Sequence, residues 1–482
     1  MNRFILILIF TSLQAGLLSQ PWIEHGGLIV DKSNPHYISY EDGTPFLWFG
    51  DTGWEMINRL SREEIKYYLE DRRAKGFNVI QTVILSEFNK INPVNYYGDS
   101  IFLKNDPCRP AVTPGSDPMI SEEYDFWDHV EFAVSTAALK GLYIALLPTW
   151  GEWVIPREGR AKFNTPKEAY NYGWFVADRL KGYKNIIWIL GGDRHPDERK
   201  GGTDLWRSMA EGIADATNSV KSSDGRADYT TTLMSYHSYS SSSEWFHADP
   251  WIDFHMWGSY HADYYIPRAW QLATSDWNLN NPKPTINGEP NYEDHPVNYG
   301  IESNGFFTAT DVRMAAYWSM FSGCAGITYG AHAVWQFTDH SRPPYNKITL
   351  KTWQESIDLP GALDIILLKK LMESYPIKGL IPDQTMIISG QGIASNYVCA
   401  IRGESHAFIY VPTGSDITVK MGVIAGSMID ASWFNPRNGE FNPVGKFENT
   451  GIKKFSVPEV SKELSWLRTG RGCDWVLVLK GS

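Results

Sequence analysis

A chain of 482 residues, 43% of them hydrophobic, can bury the core of one large domain and a smaller second one. Its formal net charge of −11 argues against nucleic acid or an anionic membrane surface as a partner. The four cysteines, Cys108, Cys324, Cys399 and Cys473, are widely spaced without a C-x-x-C, which argues against a disulfide framework and for buried free thiols.

At the N-terminus, Arg3 precedes the apolar run Phe4–Phe10, continued by Leu13, Leu17 and Leu18. This is the layout of a secretory signal peptide over residues 1–20, and the run is short for a membrane span. The mature protein is expected to be exported, to the periplasm or beyond. Short strands are expected at Leu28–Val30 and His36–Ser39, then a buried strand at Phe46–Phe49 that ends in Gly50-Asp51-Thr52-Gly53-Trp54. Ser61-Arg-Glu-Glu64 is a capping box, and the helix it opens stops at Gly76. The next strand covers Asn78–Leu85, followed by an insertion rich in Asn, Pro and Tyr.

Strand and helix then alternate regularly. Tyr143–Leu147 runs into Trp150, and Thr165-Pro-Lys-Glu168 is a second capping box. Ile186–Leu190 is a buried strand that stops at Gly191-Gly192-Asp193. Strands follow at Thr230–Met234, Ile252–Met256, Thr285–Asn287 and Gly326–Tyr329. Eight such alternations predict a (β/α)8 barrel over residues 21–376. A doubly wound sheet is the competing arrangement, but the turn after the first strand is not a glycine-rich phosphate loop. After Tyr375-Pro376, short runs between turn residues, with a hairpin signal at Asn438-Gly439, predict an all-β sandwich over residues 377–482.

The C-terminal end of each barrel strand carries polar or aromatic residues that a core does not need. Asp193 follows the fourth strand and Glu289 the seventh, and two acids are the minimum equipment for cleaving a glycosidic bond. Around them the candidate substrate-binding residues are Asp51, Trp54, Trp150, Arg194, His195, Tyr236, His237, His255, Trp257, Tyr260, His332 and Trp335. Flat rings with a polar edge suit sugar faces. Asp193, His195, His237, His255 and His332 could hold zinc if they converged, but no H-E-x-x-H is present and no metal or cofactor is expected. A serine hydrolase lacks its G-x-S-x-G.

Gly50-Asp-Thr-Gly-Trp54, Gly191-Gly-Asp193 and Asn287-Gly-Glu-Pro290 resemble the motifs of glycoside hydrolase family 140. The C-terminal stretch Trp433-Phe-Asn-Pro-Arg-Asn-Gly439 resembles a β module named for collagen binding. The first resemblance implies a retaining (β/α)8 barrel with apiosidase activity on the pectin rhamnogalacturonan II. It also implies Asp193 as acid/base and Glu289 as nucleophile. The larger clan of retaining barrels uses a Glu preceded by Asn as acid/base, whereas this chain has an Asp preceded by Gly. The expectation is therefore an exported, monomeric retaining glycosidase acting on pectic oligosaccharide or polysaccharide, with its two carboxyls about 5–5.5 Å apart. Asp193 should hold its proton, with Arg194 and His195 turned away from it. The rival from another class is a non-catalytic surface binder of carbohydrate or collagen.

Overall fold

A computed structural model describes residues 20–88, 94–157, 161–261, 268–299, 305–345, 349–459 and 472–482. The segment expected to be a signal peptide lies outside them, save for Gln20. Eight parallel strands form one sheet: β1 Trp48–Thr52, β2 Val79–Leu85, β3 Tyr143–Thr149, β4 Ile186–Gly191, β5 Met234–His237, β6 His255–Gly258, β7 Thr285–Glu289 and β8 Gly326–Tyr329. Their order is β5-β4-β3-β2-β1-β8-β7-β6. The two edges meet where the Asp253 N–H donates to the Met234 carbonyl (2.9 Å) and the Gly258 N–H to the Ser238 carbonyl (3.2 Å). The sheet is a near-closed (β/α)8 barrel, its strands almost wholly buried because helices cover the outside and side chains fill the inside.

Both expected capping boxes form. Ser61 and Glu64 exchange hydrogen bonds at the start of helix Arg62–Lys75, which ends on Gly76 in the left-handed region (φ 107°). Thr165 and Glu168 do the same for helix Pro166–Leu180. Three strands differ from expectation. The run Phe46–Phe49 splits, with Pro45–Phe46 pairing antiparallel to Ile38–Tyr40 and the barrel strand starting at Trp48. The fifth starts at Met234 because the Asp228 carboxylate caps a helical turn over Tyr229–Thr231. The sixth starts at His255. The later starts of β5 and β6 put Tyr236, His237 and Trp257 inside strands, as His255 already was, and alternation decides which side each faces.

After the barrel comes a six-stranded antiparallel sheet faced by a three-stranded one. The expected hairpin is there: Met428–Phe434 pairs with Phe441–Glu448, and Gly439 takes φ 77° in the turn. Alternation divides the larger sheet. Ile401, Phe408, Tyr410, Phe434, Val476 and Val478 join the barrel's core, while Ala400, Ile409, Trp433, Trp475 and Leu477 pack in the core between the two sheets. Tyr317 and Phe321, on helix Ala309–Phe321 of the barrel, stack on Tyr410 and Phe408 (centroids 4.6 and 5.7 Å apart). Beside them Arg313 holds Asp474 through two bonds of 3.0 and 2.9 Å and Asp364 through one of 2.7 Å, all three side chains buried. Among the described residues no helix is long and apolar enough to cross a membrane.

Candidate active site

The motif after β4 is a backbone device. Gly191, Gly192 and Asp193 take φ values of 89°, 115° and 50° in succession, turning the chain sharply at the barrel's mouth. A side chain at Gly191 would meet the His237 carbonyl oxygen at 2.4 Å, and one at Gly192 would meet the Trp150 ring at 2.7 Å. Asp193 itself is a non-glycine residue in the left-handed region, a conformation held only where surroundings over-determine it. Its Oδ1 accepts a 2.5 Å hydrogen bond from the Tyr260 hydroxyl, and Tyr260 too has positive φ (54°). Burial, and next the nearby Glu289 charge, push the Asp193 carboxyl up to about 6. Arg194 does not cancel this. Its guanidinium bonds Glu152, the carbonyl oxygen of Asp193 (2.6 Å) and Glu87 (3.4 Å), while His195 packs against Trp245. Both basic residues thus turn from the Asp193 carboxyl, as expected.

Glu289 is the last residue of β7, and its side chain is 7% exposed. Two imidazoles flank it: His237 Nε2 lies 3.2 Å from Oε2, and His261 Nε2 lies 3.4 Å from Oε1. The Tyr292 N–H donates to His261 Nδ1 at 3.3 Å, so the ring hydrogen sits on Nε2 and faces the carboxylate. Burial pushes His261 down to about 3, so it is a neutral donor. His237 stands between the two acids, its Nδ1 4.0 Å from Asp193 Oδ1. Asp193, His237 and Glu289 each offer an atom within 4.8 Å of the others, close enough to hold a cation, and the same spacing places the two carboxyls side by side.

A cavity of about 440 Å³ opens over this pair. Of the residues singled out in the sequence, Trp54, Trp150, Asp193, Arg194, Glu289 and Trp335 line it. His237 and Tyr260 touch the acids from behind. The others point elsewhere. Asp51 faces outward from β1 to the Tyr68 hydroxyl (2.5 Å) and Arg72 (3.5 Å). Tyr236 bonds the Arg194 carbonyl oxygen (2.9 Å), His255 contacts Ser242 and His247, and Trp257 bonds Thr285. His332 lies behind the wall against His295 and Trp335. Thus His195, His255 and His332 do not converge with Asp193 on a common metal position. Sequence reasoning passed over Glu55, Tyr239, His261, Tyr292 and Tyr299, which line the cavity from loops. The signal for three of them was adjacency: Glu55 follows Trp54, His261 follows Tyr260, and Tyr292 comes two residues after Pro290.

Residues 32–378 match the family model described as "Apiosidase-like, catalytic domain". Residues 381–480 match that of a "Putative collagen-binding domain of a collagenase". A solved structure described as "Glycoside hydrolase" is 30% identical, with a TM-score of 0.83 over 96% of this chain and 99% of its own. A glycoside hydrolase family 5 protein from Bacteroides vulgatus ATCC 8482 is 29% identical, with a TM-score of 0.81 over 96% of this chain and 95% of its own. No curated protein sequence matches the chain.

Proposed function

The chain belongs to the apiosidase-like family and is a glycoside hydrolase, and from that premise we propose that it cleaves pectic glycans with retention, apiose linkages of rhamnogalacturonan II among them. Asp193 is the acid/base and Glu289 the nucleophile. The observation that carries this is the spacing of the pair: oxygens of the two side chains lie within 4.8 Å. Retaining enzymes hold their carboxyls about 5–5.5 Å apart, whereas inverting ones leave about 6.5–9.5 Å to admit a water between acid and sugar.

In the first step the Asp193 proton goes to the leaving oxygen as a Glu289 oxygen attacks the anomeric carbon, and the glycosidic C–O bond breaks. Asp193, now a carboxylate, takes a proton from water. The water oxygen attacks the same carbon and Glu289 leaves. The raised proton affinity of Asp193 supports the acid role, because an ordinary aspartate is ionised near neutral pH. Neutral His261 sets a polar ring beside the nucleophile without adding a charge. Export, supported by the apolar run behind Arg3, would bring the enzyme to polymer fragments outside the cell.

Proton NMR of the first product released from a pectic digest should show the anomer of the substrate. Chromatography of the same digest should show free apiose. An inverted first product, or full activity in Glu289→Ala, would sink the mechanism. Release of some other sugar alone would leave the mechanism and remove the apiose assignment.

A further inference from the structure

We propose that Asp193, His237 and Glu289 form a divalent-cation site that takes zinc and that, when filled, blocks hydrolysis. The binding half stands on geometry; the blocking half rests on the roles proposed above for the two acids. His237 is fully buried, yet neither of its ring nitrogens has a hydrogen-bond partner among the described residues, and the same holds for Glu289 Oε2. Groups that lose water on burial normally gain a partner, and these face one another. The 3.2 Å between His237 Nε2 and Glu289 Oε2 is close to the roughly 3.3 Å between two ligands on a tetrahedral zinc with bonds near 2.0 Å. Asp193 supplies the third atom within 4.8 Å, and its side chain keeps 19% of its surface open toward the cavity, so an ion can enter.

The surroundings suit a metal as well as a sugar. The Tyr260 hydroxyl steadies Asp193 through a hydrogen bond, and His261 lies 3.4 Å from the second oxygen of Glu289, so one of the three ligands is oriented by an outer partner and a second has one at its side. One imidazole and two carboxylates are a mixed nitrogen and oxygen set, which zinc accepts and which leaves its fourth position toward the cavity for water. A cation bound there occupies the oxygen that must attack the sugar and the carboxyl that must deliver the proton.

The test uses the untagged full chain, stripped with EDTA, titrated with zinc chloride alone by calorimetry and then assayed on a pectic digest. One zinc should bind per chain, raise the melting temperature, and inhibit competitively with substrate; EDTA should restore full activity. His237→Asn and Glu289→Gln should each weaken zinc binding by roughly tenfold or more. Glu289→Gln, nearly isosteric, carries the comparison if His237→Asn does not fold. Absence of binding, or binding unchanged in the folded variants, would overturn the site. Activity lost in EDTA and regained with zinc would overturn the blocking role, and with it the two-acid mechanism, while leaving the ion in place. An inactive Glu289→Gln protein that also fails to bind zinc supports both.

Discussion

A proton held near neutral pH by an aspartate is a statement about its surroundings, and it can be read from rate and from stability. Because Asp193 is pushed up to about 6, kcat/KM should fall as pH rises through about 6, where the proposed general acid ionises. Asp193→Ala should lose substrates with poor leaving groups and keep those with good ones, and azide should restore part of its turnover. Stability runs by a separate sign. A carboxyl whose folded pKa is raised stabilises the fold below its unfolded value of 3.8 and loses that contribution as pH rises toward 6. Asp193→Asn should therefore melt higher than the parent at pH 7.5, by on the order of 2 kcal/mol, with the gain gone near pH 4. Thermal melts at the two pH values check this. Trp54, Trp150 and Trp335 line the cavity but are only 4%, 5% and 6% exposed, so truncating any of them to Ala should cost the fold about 3–5 kcal/mol, as it would for fully buried Trp257. Phenylalanine separates them: Trp335→Phe should raise KM with a small loss in melting temperature, and Trp257→Phe should leave KM alone. The place of both carboxyls at the barrel's mouth was legible because Glu289 ends a buried strand and Asp193 follows one across two glycines. Asp51, Tyr236 and His255 were not placed, because a residue near a strand end faces in or out according to a register the sequence does not print.

At the scale of elements the barrel was legible where caps and glycines fix the ends, as at Ser61–Gly76 and Thr165–Glu168. It was misread at the start of β6 and at β5, where an Asp228 cap turns three β-prone residues into a helical turn. The turn after β4 is the element that positions the proposed acid. Gly192→Ala would force a side chain into φ 115° and into the Trp150 ring. The strain alone is worth about 1–3 kcal/mol. The expected outcome is a protein that still folds, melts lower, and has lost most of kcat, because Asp193 moves with the turn. A Gly192→Ala enzyme with parental kcat would show that the turn does not position the acid.

Across the whole molecule, the sandwich is part of the barrel's core rather than an appendage. Its sequence gave two alternating faces per strand, but which face met the barrel depends on contacts between residues far apart, such as Tyr317 with Tyr410. A chain cut after Tyr375 should be insoluble, since Tyr317, Phe321 and their neighbours would face water; a soluble, fully active fragment would refute this. The intact protein should unfold in one transition by calorimetry. Asp474→Ala leaves Arg313 and Arg437 buried or half-buried without their shared partner and should cost about 3–5 kcal/mol. Burial opposes ionisation of Asp474, yet Arg313 and Arg437 hold its carboxyl below 3.8, so its share of stability is present above that pH and is lost as pH falls further. The same bridge has a consequence for biosynthesis. Arg313 is translated 161 residues before Asp474, and the strand beside Asp474, Trp475–Gly481, lies between His406–Val411 and Met428–Phe434 in the larger sheet. At ribosomal speeds the barrel helix waits on the order of ten seconds for its partner. During that interval a sticky, half-finished barrel is available to chaperones, and the late strand is the latch that ends it.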